Sequence, residues 1–191
     1  MTSLPKWELS HIGLWVTDMD RMREFYTRVL GFKVMDAGEL PKGPRLTFLS
    51  KDPKDHHQIV LVTGRAPGTP STINQITFRV ASIKEVRAMH DLAVASGAQG
   101  VDPVDHGNAW SVYFLDPEGN RVEFFCDTPW YVAQPYRVAL DFSLSDREIA
   151  EATRRRLAKD PTTRPFGAWR SEKRRELGLT RSSPRRRRRR A

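Results

Sequence analysis

The chain has 191 residues, 39% of them hydrophobic, a formal net charge of +9 and a single cysteine, Cys126. One cysteine excludes an intramolecular disulfide and a thiolate zinc cluster, and no apolar run approaches the roughly 18 residues of a membrane span. Charge is segregated: residues 146–191 carry 17 Lys+Arg against 6 Asp+Glu, whereas residues 1–145 carry 15 against 17, so the high isoelectric point belongs to the C-terminal end. The N-terminus lacks the charged start and apolar stretch of a signal peptide, and a soluble cytoplasmic protein is expected.

Along the chain, His11 to Val16 alternates apolar and polar residues, the period of a strand with one buried face. Met19, Met22 and Phe25 then follow helical spacing, with Asp18 placed as the N-cap and Gly31 at the end. Strands are expected over Phe32–Met35, Arg45–Leu49 and Gln58–Val62, separated by Pro41-Lys42-Gly43-Pro44 and Asp52-Pro53. From Gln75 the pattern repeats at an offset of 64 residues. Ile12, Leu14 and Val16 match Ile76, Phe78 and Val80, and Met19, Met22 and Phe25 match Ile83, Val86 and Met89. The second helix is capped by Ser82 and ended by Gly97. Strands near Gly100–Val104, Trp110–Leu115 and Arg121–Phe125 complete the repeat around the turn Asp116-Pro117-Glu118-Gly119-Asn120. An α+β fold follows, with two βαβββ modules at about 8–63 and 73–127 sharing one core and leaving a concave surface between them. Residues 128–145 are expected to pack across the outside and complete the domain at 145. A short helix capped by Ser145 is expected over 146–160, then a basic, disordered tail over 161–191 ending in Arg185–Arg190.

The same alternation selects the candidate chemistry. His11 lies opposite Ile12, Leu14 and Val16, and Gln75 opposite Ile76, Phe78 and Val80, so both point into the concavity. Glu123 lies opposite Val122 and Phe124 and is costly to bury without a balancing cation. Of His56 and His57, His57 is the inward one if Ile59 and Leu61 line the site and Val60 and Val62 face the helices. His11, Gln75, His57 and Glu123 then converge from equivalent positions. Imidazole, carboxylate and amide oxygen together suit a divalent first-row metal with an open position. His106, next to Gly107, is a candidate for hydrogen bonding or proton transfer to a substrate oxygen, the glycine permitting close backbone approach. Trp15, Phe48, Trp110 and Phe125 are candidate walls of an aromatic pocket.

Three stretches carry a resemblance: Leu9-Ser10-His11-Ile12-Gly13-Leu14, Phe25-Tyr26-Thr27-Arg28-Val29-Leu30-Gly31-Phe32, and Asp116-Pro117-Glu118-Gly119-Asn120-Arg121-Val122-Glu123-Phe124. On these the chain resembles the vicinal oxygen chelate superfamily, which includes glyoxalase I, extradiol dioxygenases, fosfomycin-resistance and bleomycin-binding proteins. The resemblance implies modules paired into a half-open barrel with helices outside, and a homodimer. The His56-His57 pair, His106 and Glu123 are most similar to small one-domain type I extradiol dioxygenases. That implies Fe(II), a catecholic substrate and O2, with His11 and Glu123 as ligands, His57 in proton transfer and His106 against substrate or oxygen. Two positions depart from that pattern. Gln75 stands where the family has its second histidine ligand, and Phe114 where a tyrosine is often found. Glutamine at a first-strand ligand position resembles glyoxalase I, where the fourth-strand position also ligates. That implies His57 as a further ligand, Zn, Ni or Mn as the metal, and isomerase or lyase chemistry through Glu123. A non-catalytic, metal-free binder of aromatic ligands or drugs is the third alternative. The arginine run is the only feature that suits nucleic acid or an anionic membrane.

Overall fold

The computed structural model describes residues 8–179. The order is β1 (Ile12–Val16), α1 (Met19–Glu24), β2 (Lys33–Glu39), β3 (Arg45–Ser50), β4 (Ile59–Thr63), then β5 (Ile76–Arg79), α2 (Ile83–Ala95), β6 (Asp102–Asp105), β7 (Ala109–Leu115) and β8 (Arg121–Asp127). The expected βαβββ repeat is therefore present twice. α1 continues as a π-helical turn over Phe25–Val29 before Gly31, at φ +74°, reverses the chain. The sheets run β1-β4-β3-β2 and β6-β7-β8-β5, with one further short strand added beyond β6. In each module the first strand pairs in parallel with the last. The sheets stay open, giving the half-open architecture.

One core serves both modules. Leu14, Val16, Met22, Leu49, Ile59 and Leu61 from the first are buried with Ile76, Val86, Val112, Phe114 and Val122 from the second. Phe114 stacks on Phe124 with ring centroids 6.0 Å apart, and Phe25 meets Phe114 edge-on at 6.5 Å. The turn Asp116–Asn120 latches the modules together. Asp116 Oδ1 accepts the backbone N–H of Glu118 and Asn120 at 3.0 and 2.8 Å, which fixes the turn. Glu118 then reaches across the module boundary. Its Oε1 accepts the N–H of Thr17 and of Asp18, each at 2.7 Å, and its Oε2 lies 3.4 Å from Arg65.

Beyond β8 the chain wraps the second module. β9 (Trp130–Tyr131) pairs with β11 (Arg164–Pro165), and β10 (Val138–Ala139) extends the sheet beside β6. α3 (Asp146–Leu157) starts as expected at Ser145, through a full capping box with Glu148. It buries Ile149, Thr153 and Leu157. Ser145→Ala is expected to cost about 1 kcal/mol, read as a lowered urea midpoint at unchanged slope.

The expected disorder from 161 onward does not hold over its first part. Residues 164–165 form β11 and α4 spans Phe166–Glu176. No α4 residue is buried. The helix is held laterally, by Trp169 stacked on Tyr131 at 5.0 Å and by the Arg164–Glu172 and Arg170–Asp127 pairs. Composition misleads there because three aromatic and ionic anchors substitute for a buried stripe. Arg185–Arg190 lie outside the described residues.

Candidate active site

Thr77 and Arg79 project from the open face of β5, opposite the core residues Ile76 and Phe78, and Gln75 directly precedes the strand. Register places Thr77 beside Glu123, and Tyr113 of β7 on the other side of Glu123. Glu123 is only 6% exposed. Its Oε2 accepts from Gln75 Nε2 and from Thr77 Oγ1, each at 2.8 Å. Two neutral donors on one oxygen stabilise the carboxylate without neutralising it. Because Gln75 spends its amide nitrogen there, its amide oxygen is left for a cation.

Tyr113 is the site-facing residue of its strand, and Phe114 belongs wholly to the core. A tyrosine thus stands beside Glu123 at position 113, next to Phe114, which the resemblance marked as replacing one. Burial first, and then Glu123, raise its phenol pKa. Its hydroxyl is 2.9 Å from His106 Nε2, and His106 Nδ1 is 2.8 Å from the carbonyl of Tyr136. A carbonyl only accepts, so Nδ1 carries the hydrogen, and in the neutral imidazole Nε2 must accept the phenol proton. With both nitrogens engaged, His106 reaches a ligand through Tyr113 and not directly. Gly107 serves packing, in place of the close backbone approach to a ligand expected of it. At φ +71° a Cβ there would lie 2.5 Å from Val132 and 3.0 Å from Leu157.

The first module supplies the opposing half. His11 stands just before β1, its ring centroid 4.3 Å from that of His57, which in turn lies 5.0 Å from Phe48. His56 Nδ1 is 3.0 Å from His57 Nδ1. Burial, with the adjacent imidazoles of His11 and His56 adding to it, pushes the His57 pKa below the usual imidazole value. That favours the neutral imidazole at His57.

The expected strand face is corrected here. Ile59 and Leu61 are buried in the core, while Val60 is the open-face residue that pairs with Phe48. Ile12 pairs with Ile59 as Ile76 pairs with Val122, so Val60 is the structural counterpart of Glu123, and Phe48 of Tyr113. His57 precedes β4, where the pleat does not apply, and reaches His11 from the turn. It does not occupy the fourth-strand ligand position.

His11 and Thr77 line one cavity of about 440 Å³ between the edges of β1 and β5. Among the described residues no three His, Cys, Asp or Glu side chains gather closely enough to hold an ion. The third donor type here is the amide of Gln75. By donor chemistry His11, Gln75 and Glu123 fit a divalent cation: one imidazole nitrogen, one amide oxygen and one carboxylate.

The aromatic wall divides. Phe48 and Phe125 are half-buried on the open faces of their sheets. Trp15 is 61% exposed and lines a separate cavity of about 370 Å³ against residues 64–73. Trp110 is not a pocket residue. It is 7% exposed in the core, edge-on to Trp130, and donates Nε1–H to Thr153 of α3 at 3.0 Å. Alternation separates the two: Trp110 shares its face with the core residues Val112 and Phe114, and Phe125 shares its face with Glu123.

The family profile described as the Glyoxalase/Bleomycin resistance protein/Dioxygenase superfamily matches residues 8–124. The chain belongs to this superfamily. Among curated relatives of this superfamily member, biphenyl-2,3-diol 1,2-dioxygenase 2 of Rhodococcus globerulus is 25% identical over 80% of this chain and 86% of its own length. Metapyrocatechase 2 of Cupriavidus necator is 28% identical over 75% of this chain but only 43% of its own. Of solved structures, the glyoxylase/bleomycin resistance protein/dioxygenase domain from Frankia sp. EAN1pec gives a TM-score of 0.55 at 21% identity, covering 66% of this chain and 94% of that one. Glyoxalase I of Leishmania major gives 0.53 at 21% identity, covering 63% and 87%. At such identities the two structures speak for the fold alone. No described helix is long and apolar enough to cross a membrane.

Proposed function

We propose that the chain is a metal-dependent, extradiol-type ring-cleaving dioxygenase acting on a catecholic aromatic compound. The observation that carries this reading is the placement of acid–base groups on both sides of the donor set. His57 stands against His11, and the Tyr113–His106 pair stands against Glu123. The alignment with biphenyl-2,3-diol 1,2-dioxygenase 2 over most of both chains supports dioxygenase chemistry on a diol. His11, Gln75 and Glu123 would hold the ion, with Fe(II) as the metal. Bound Fe(II) would supply Lewis acidity and redox chemistry toward paired hydroxyls and dioxygen. The protein's own part is proton handling and shape. His57, whose neutral form is favoured, takes a proton from a substrate hydroxyl. Tyr113 presents its hydroxyl oxygen as an acceptor on the opposite side, its own proton held by His106 Nε2. Phe48 and Phe125 flank the ring.

Protein reconstituted anaerobically with Fe(II) is expected to consume O2 and yield a yellow product from 2,3-dihydroxybiphenyl or catechol. His57→Gln is expected to lower kcat by about 10²–10⁴-fold without loss of metal. Absence of oxygen uptake across a panel of catechols would remove this reading. Gln75 favours a second one, a glyoxalase-like isomerase or lyase in which Glu123 moves a proton alpha to a carbonyl. Turnover with Zn, Ni or Mn in the absence of oxygen would select it.

A further inference from the structure

Around Glu123 the open face of the second sheet carries more guanidinium than carboxylate. Arg79 and Arg170 both bond Asp127 Oδ2, and Arg121 and Arg137 both bond Asp102 Oδ2. Each carboxylate neutralises one partner, so each trio keeps one net positive charge. A guanidinium has five N–H donors and a shared carboxylate engages few of them. Two of these arginines sit over site aromatics: Arg79 is 4.4 Å from the Phe125 ring centroid and Arg121 is 4.1 Å from that of Tyr113. A guanidinium held over a ring keeps an N–H edge for a further partner.

Arg79 is the one placed to use that edge. It stands on the same face as Thr77, which holds Glu123, and is roughly 7 Å further along β5. It lines the cavity that His11 and Thr77 line, and its side chain is 57% exposed. That cavity has Phe32, Phe78 and Phe124 in its wall, Lys51 and Arg79 as its charged residues, and no aspartate or glutamate. Its charged lining is cationic, and the nearby carboxylates, Glu123 on Thr77 and Asp127 on Arg79, stand outside the lining and are already held by donors. The cavity suits an aromatic anion.

We infer that the substrate is a catecholic compound bearing a carboxylate, and that Arg79 binds this carboxylate, with Asp127 and Arg170 setting the strength of the contact. The inference rests on the ring-cleavage reading for the catecholic part and on the arginine geometry for the anionic part. Asp127 competes with the ligand for Arg79, so removing its charge should strengthen anion binding. A structural role for the Arg79–Asp127 pair makes the opposite prediction.

The test compares 2,3-dihydroxybenzoate with catechol on the full chain. For Fe(II)-loaded protein, kcat/KM is expected to favour the carboxylated compound at least tenfold. The preference should shrink with added salt, collapse in Arg79→Gln, survive in Arg79→Lys and grow in Asp127→Asn. Metal-free protein titrated with benzoate should follow the same order of affinities. Equal kcat/KM for the two compounds in the unaltered protein overturns the inference while leaving ring cleavage standing. So does an Arg79→Gln variant that loses both activities in equal proportion. If neither compound is cleaved, the benzoate titration decides. Binding that Arg79→Gln abolishes supports the anion site while the ring-cleavage reading fails, and no binding overturns both.

Discussion

Glu123→Gln is expected to abolish stoichiometric divalent-cation binding while leaving the fold intact. Loss of an outer partner of a metal ligand already costs about 10–100-fold in affinity or activity, and this substitution removes the only carboxylate among His11, Gln75 and Glu123. Glutamine has the same shape, so the packing between Thr77 and Tyr113 is kept. Its amide presents one acceptor where Glu123 presents two. Gln75 and Thr77 can still bond the amide oxygen, as they now bond Oε2. Relief of a buried, uncompensated negative charge offsets what is lost. Metal content of protein purified without oxygen, together with the thermal midpoint, checks this. Full occupancy in the variant would show that the ion is held elsewhere.

Glu118→Ala is expected to have the largest effect on stability, on the order of 3–5 kcal/mol, the cost of breaking a buried ion pair by removing one partner. The carboxylate is 8% exposed and Arg65 is 11% exposed. Truncation leaves Arg65 without its counter-charge and the N–H groups of Thr17 and Asp18 without their acceptor. Thr17 and Asp18 open α1, so the helix entry frays as well. Glu118→Gln should fall between, because the amide oxygen still accepts while the charge is gone. Guanidinium unfolding followed by circular dichroism would register the loss as a lower midpoint. A midpoint unchanged within a few tenths of a kcal/mol would mean that the latch is ornamental.

The strand–helix–strand order was legible because it is written twice, and Ile12/Ile76 through Phe25/Met89 keep register without a gap. Gln75 and Glu123 were legible as a pair because Glu123 lies on a strand and Gln75 directly before one, where alternation still decides direction. His57 was not, because it sits in a turn and its approach to His11 depends on how the chain enters β4. Tyr113 was missed because β7 is covered on both faces, by the core on one side and by the site residues on the other, and all of Trp110–Phe114 is buried. The docking of α3 on Asp105 and Trp110 comes from a threonine, Thr153, whose helical position carries no mark of it.

The latch also makes the two halves unequal. The same 64-residue offset that aligns the repeats carries Asp52-Pro53-Lys54 onto Asp116-Pro117-Glu118. Both turns close alike, Lys54 N–H on Asp52 Oδ1 at 2.9 Å and Glu118 N–H on Asp116 Oδ1 at 3.0 Å. Only the second presents a carboxylate; the first presents an ammonium with the opposite preference. Reciprocal grip is therefore impossible, and a tandem of two first halves would have no hook at all. The repeat supplies the symmetry, and one reversed charge gives it a direction.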